Sequence, residues 1–163
     1  MTHIVLIEPQ IPQNTGNIAR TCAAIGAVLH LVKPLGFSID SKHVKRAGLD
    51  YWDSIQLFVH DSFEELFDKY EAHQFFFSST KALNIYSDVD YPDETFLVFG
   101  KETKGIDEEI LLNNKDNCIR IPMKDGIRSL NLSNSVAVVA FEVLRQKDFP
   151  GFVKKGRLTR YDW

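Results

Sequence analysis

Short runs of apolar, β-branched residues alternate along this chain with segments whose apolar positions recur at steps of three and four. Residues 3–7 form the first run and stop at Glu8-Pro9, the pattern of a buried strand entering a loop. A polar loop over 10–16 follows. Residues 17–25 then place Ile18, Ala19, Cys22 and Ile25 at helical spacing, with Gly26 positioned to end the helix. Further strands are predicted at 28–32, 55–59, 75–77, 96–99 and 118–121. A short helix is expected at 41–47, and Asp61-Ser62 offer N-caps to a helix carrying Phe63, Leu66, Phe67 and Tyr70. About six strands separated by helices predict an α/β fold, a mostly parallel sheet with helices on both faces.

The final helix, from Asn131 or Leu132 to Gln146, departs from the pattern. Residues 136–141 are apolar on every side, and a helix of that kind is buried all round. A helix outside an open sheet shows one face to water, so a second subunit is expected to cover it. The reading is a homodimer.

Composition narrows the function classes. At 163 residues the chain fits one domain, 1–163, closing in a basic segment at 151–163. The formal charge of −3 gives no global attraction to nucleic acid, so any such binding must use local patches. One is Lys154, Lys155, Arg157 and Arg160 against the single acid Asp162; a solvated tail accounts for it equally well. Two cysteines without a C-x-x-C arrangement, and no leader-like start, point to a reducing cytoplasm. No apolar stretch approaches the roughly 20 residues of a membrane span. The five histidines show no metal-ligand spacing, and no G-x-S-x-G elbow occurs, so neither metal nor acyl-transfer chemistry is expected.

Three loops follow predicted strands, where open α/β sheets bind ligands. In the first, Asn14, Asn17 and Arg20 stand at steps of three, so a planar cation there is suited to grip a phosphate or ribose; simple capping by Asn14 fits too. The second, Gly100-Lys-Glu102-Thr-Lys-Gly105, is not a phosphate loop, because Thr95 and Glu102 occupy positions that need Gly and Ser or Thr. It is a glycine-flanked turn able to approach a flat ligand. The third contains Ser129-Leu-Asn131-Leu-Ser133-Asn134-Ser135, more polar groups than one helix start needs, with Lys124 and Arg128 nearby.

Together the three loops resemble the motifs of the SPOUT superfamily of RNA methyltransferases, in its ribose 2′-O-methylating branch. The likeness runs through residues 6–20, Arg46-Ala-Gly-Leu-Asp-Tyr-Trp52, residues 99–105, Ile121-Pro-Met and residues 129–134. It implies a parallel α/β sheet with a C-terminal trefoil knot, an obligate dimer, and S-adenosyl-L-methionine as methyl donor. Among members, the chain is most similar to minimal ones that act on the wobble ribose of leucine tRNAs; those acting on ribosomal RNA usually carry an added RNA-binding domain. By carry-over, Ser78, Gly100, Ile121, Ser129 and Leu130 contact the cofactor. Arg20, Ser129, Asn131 and Asn14 form the catalytic group, with Glu102 orienting, and Arg128, Lys124 and Arg46 contact RNA. A guanidinium stays protonated at neutral pH, so Arg20 is read as positioning the ribose and stabilising the forming alkoxide rather than as a base.

Overall fold

A computed structural model describes residues 1–39 and 54–163. Seven parallel strands form one sheet: β1 Thr2–Ile7, β2 Val28–Val32, β3 Leu57–His60, β4 Gln74–Ser78, β5 Asn84–Ile85, β6 Thr95–Phe99 and β7 Cys118–Arg120, in the order β3-β2-β1-β6-β4-β7-β5. The helices are α1 Pro12–Ile25, α2 Phe63–Lys69, α3 Glu108–Asn113 and α4 Leu132–Gln146.

β2 and β6 are buried along their whole length, as the continuous apolar runs require of strands covered on both faces. Side-chain alternation divides the core in two. Ile4, Leu6, Leu29, Leu31, Phe76, Leu97 and Phe99 point to one face and pack with Ile18 and Cys22 of α1 and Val136, Val139 and Val143 of α4. Val5, Ile7, Phe75, Phe77, Phe96 and Val98 point to the other and meet Phe63 and Leu66 of α2 and Leu111 of α3.

Two expectations are corrected. The strands number seven, not six: the two-residue β5 was too short to show a period, and it is held to β7 by the Asn84 and Ile85 pairings. Helix α1 begins at Pro12, not near Asn17, so the stretch read as a loop forms its first turn. Pro12 at the start supplies a helical φ and needs no N–H partner there, and a carboxylate from elsewhere in the chain takes over the capping. Within the single chain helix α4 buries Val136, Val139, Ala140 and Val143 against the core, while Val138 and Phe141, on the face expected to meet a second subunit, are 37% and 45% exposed. The helix expected at 41–47, Arg46 and the 46–52 motif lie outside the described residues.

Histidines from three neighbouring strands form a buried row. His3 Nδ1 lies 2.9 Å from His30 Nε2, and His30 Nδ1 lies 3.0 Å from His60 Nε2. The row lies against Phe96, which stacks on His3 with centroids 4.1 Å apart. Glu94 meets His3 at one end, and Glu65 stands 4.0 Å from His60 at the other. A neutral imidazole has one donor and one acceptor nitrogen, so the three rings orient one another as a unit. Burial opposes a charge in this row and holds all three below the ordinary histidine value, with His30 pushed down to about 3 from 6.5, helped by its two histidine neighbours.

Between those two values the unfolded chain binds a proton at residue 30 that the folded chain refuses. Stability is therefore full above about pH 6.5 and is lost as pH falls toward the folded value. Denaturant midpoints measured from pH 7 to pH 4.5 are expected to fall steadily. His30→Gln, which removes the titrating ring, is expected to show a shallower dependence by about one proton.

Candidate active site

The strand order places β6 beside β1, where the chain, having built outward through β2 and β3, returns to the opposite side. The loops leaving β1, β6, β4 and β7 at their carboxyl ends therefore converge, the position at which open α/β sheets hold ligands. Between them lies a cavity of about 740 Å³, within the range of small-molecule sites. Ile11, Phe99, Ile121, Met123 and Leu130 give it apolar plates; Ser78, Ser79, Thr80 and Asn14 bring polar groups, and Glu102, Asp107 and Glu108 bring carboxylates.

Glu102 fastens the loops together. Its Oε2 accepts from the Gln10 backbone N–H at 2.8 Å, and its Oε1 accepts from the Ile11 N–H at 3.1 Å and from Asn14 Nδ2 at 3.0 Å. Because a carboxylate only accepts, the Asn14 amide must turn its nitrogen toward it. Asn14 Oδ1 is then left to accept from Asn131 Nδ2 at 3.0 Å. Asn131 in turn presents Oδ1 to the Ser133 N–H at 2.9 Å and the Ser133 hydroxyl at 2.7 Å, capping α4. The chain of bonds runs in one direction, from Glu102 through two amides to the start of α4.

Two further ties join the β6 loop to the β1 loop. Lys101 Nζ donates to Glu8 Oε2 at 2.6 Å, and this partner raises the lysine pKa above its ordinary value. Thr103 Oγ1 donates to Gln10 Oε1 at 2.8 Å. The loop closes on itself through the Gly105 N–H, which donates to the Lys101 carbonyl at 2.8 Å. A Cβ on Gly100 would lie 2.1 Å from the Gly105 carbonyl carbon, so only glycine allows this closure. At the far wall the Lys81 ammonium donates to Glu108, holding that carboxyl below its usual range.

Of the residues singled out in the sequence, Asn14, Ser78, Gly100, Ile121, Arg128, Ser129, Leu130 and Asn131 line the cavity. Arg20 and Lys124 are exposed and do not line it. Steps of three do not stack Asn14 and Arg20: six residues at about 100° each leave them roughly 120° apart around the helix. Asn14 is buried, whereas Asn17 and Arg20 are exposed. Ser79, Thr80 and Lys81 were missed, although the rule that ligands sit beyond strand carboxyl ends points to the residues just after β4. Among the described residues, no group of three or more His, Cys, Asp or Glu side chains is arranged to hold a metal ion, and no helix is long and apolar enough to cross a membrane.

Known proteins resemble the chain along nearly its whole length. A protein of Listeria monocytogenes is 51% identical over 161 residues, covering 97% of this chain and 95% of its own. The tRNA (cytidine(34)-2′-O)-methyltransferase of Methylovorus glucosotrophus is 46% identical over 154 residues, 94% of this chain and 100% of its own. A structure solved in work on the 2-OH methylation of C/U34 on tRNA superposes with a TM-score of 0.87 at 42% identity, covering 91% of this chain and 97% of the other. The SpoU methyltransferase AviRb of Streptomyces viridochromogenes, in complex with AdoMet, superposes with a TM-score of 0.79 at 25% identity, over 90% of this chain and 57% of the other. The model of the SpoU rRNA Methylase family matches residues 1–141, and the chain belongs to that family.

Proposed function

We propose that this chain is a cytoplasmic, homodimeric enzyme that uses S-adenosyl-L-methionine to methylate the ribose 2′-hydroxyl of nucleotide 34, a cytidine or modified uridine, in leucine tRNAs. The observation that carries the reading is the single chain of bonds, Glu102 to Asn14 to Asn131, that joins the three motif loops around one cavity. Relatives at about half identity with this named activity support the substrate. The family's own description names ribosomal RNA, which makes a ribosomal ribose, or another tRNA position, the second reading. The trefoil threading of the segment before α4 belongs to the same proposal.

The lining suits the cofactor. Apolar plates accept a flat base, the hydroxyls of Ser78, Ser79 and Thr80 accept a ribose, and carboxylates favour a positively charged tail. Ser78, Gly100, Ile121, Ser129 and Leu130 would hold it, Gly100 by keeping the 100–105 loop closed. The cofactor supplies an activated methyl group when bound.

The chain's own residues do the rest. A ribose hydroxyl is a poor nucleophile at neutral pH, so it must be positioned, shielded from water and relieved of developing charge. Asn14, oriented by Glu102, and Asn131, oriented by Ser133, would hold the start of α4 and the Ser129 segment before it against the cavity. Arg20 projects from α1 about 9 Å along the helix axis from Asn14. Its guanidinium lies outside the cavity lining, and in this reading it would reach the ribose or an adjacent phosphate of the bound RNA and stabilise the forming alkoxide. Arg128 at the cavity rim, with Lys124 and Arg46, would contact RNA. The exposed Val138 and Phe141 of α4 would be covered by the second copy.

Ribose-methylation mapping of tRNA and ribosomal RNA from cells lacking the protein tests the substrate, and loss confined to position 34 is expected. Arg20→Lys keeps the charge but not the planar fork, and kcat is expected to fall about 100-fold, a size ordinary for losing a transition-state donor; near-normal turnover would remove the role given to Arg20. Gly100→Ala should open the 100–105 loop and abolish calorimetric cofactor binding while leaving the far-ultraviolet circular dichroism unchanged. A Val138→Lys/Phe141→Lys variant should sediment as a monomer at micromolar concentration where the parent is a dimer.

A further inference from the structure

Charge is divided unevenly along the chain. Residues 1–150 hold fifteen of the nineteen Lys and Arg and twenty-one of the twenty-two Asp and Glu, a formal −6; residues 151–163 hold Lys154, Lys155, Arg157 and Arg160 against Asp162, a formal +3. A body of that sign repels a polyanion, so attraction has to come from a local concentration of cations.

The structure gives this segment a fixed root and a free surface. After α4 the backbone reverses through positive φ at Asp148, Phe149 and Gly151. Phe149 and Phe152 then pack against the core cluster that includes α4, their rings 6.3 Å apart, and Lys154 Nζ pairs with Asp148 Oδ2 at 2.7 Å. From Val153 to Trp163 the chain has no helix or strand, and Tyr161 and Trp163 stand 77% and 92% exposed. Two bare rings lie within three residues of Arg160. Cations for phosphates and flat rings for bases are the two contacts by which proteins hold single-stranded nucleic acid.

We propose that residues 153–163 form an RNA-gripping arm, rooted by Phe149 and Phe152, that binds substrate away from the cavity. The proposal rests on RNA being the substrate. The 15 residues of α4 set the root about 22 Å along the helix axis from Asn131. The arm therefore holds nucleotides other than the one that reacts, acting on KM and not on kcat. A second protein subunit is the competing occupant, but lysine is depleted at protein–protein interfaces, and two of the arm's four cations are lysines.

The test compares the full chain with Lys155→Ala/Arg157→Ala/Arg160→Ala and with Tyr161→Ala/Trp163→Ala. Binding of bulk tRNA and of an unstructured oligouridine is measured between 50 and 200 mM salt. The triple variant is expected to bind at least about 10-fold more weakly, with the slope of log affinity against log salt reduced by about two, since each phosphate contact contributes roughly 0.7 to 0.9. The ring variant is expected to lose about 10-fold on oligouridine with the slope unchanged. For both, kcat at saturating tRNA and calorimetric cofactor affinity should match the parent. An unchanged affinity and slope in the triple variant would overturn the arm, as would its sedimenting as a smaller species, which would make the segment a protein contact. If the parent methylates no tRNA yet the triple variant loses RNA affinity, the arm stands and the enzymatic reading falls.

Discussion

One carboxylate sets the geometry of the cavity. Glu102, in the loop after β6, accepts from the Gln10 and Ile11 backbone N–H groups just ahead of α1 and from the Asn14 amide in its first turn, satisfying donors that have no partner within the helix. Substituting this side chain would strand those donors and free the Asn14 amide to rotate, while Asn131 stays held by Ser133. The Asn14–Asn131 bond would lose its direction, and the start of α4 would no longer be referred to the loop after β6. The polar loops so arranged rest on a sheet buried on both faces, whose rigidity comes from packing and not from the loops themselves.

Much of the fold was legible because its signals are local. Strands β1, β2 and β6 announce themselves as apolar runs, Gly26 ends α1 in the left-handed conformation, and Ser62 caps α2 by accepting from the Glu65 N–H. What failed was also local, but its cause was distant. The start of α1 was read five residues late because Gln10 to Gly16 looks like a loop until Glu102, from 91 positions further along, caps it. The two-residue β5 exists only because β7 is there to pair with it.

The site divides the same way. Residues directly after strands fall in the cavity, and the motif loops identified Asn14, Gly100, Ser129 and Asn131 correctly as neighbours. Arg20 is different: its spacing from Asn14 suggested a shared face, whereas helix rotation carries it to the exposed side. The row of His3, His30 and His60 was not seen at all, since the three lie about 30 residues apart and meet only through parallel strand registry.

The bond between Asn14 and Asn131 joins positions 117 residues apart, and β1 has to wait for β6 to complete its second edge. A contact of that separation is closed late, after the nearby β1-α1-β2 unit has formed, because long loops cost entropy before their contacts repay it. A fragment ending before residue 131 lacks both the Asn131 amide and α4, so one face of its sheet is partly uncovered and its cavity is without a wall.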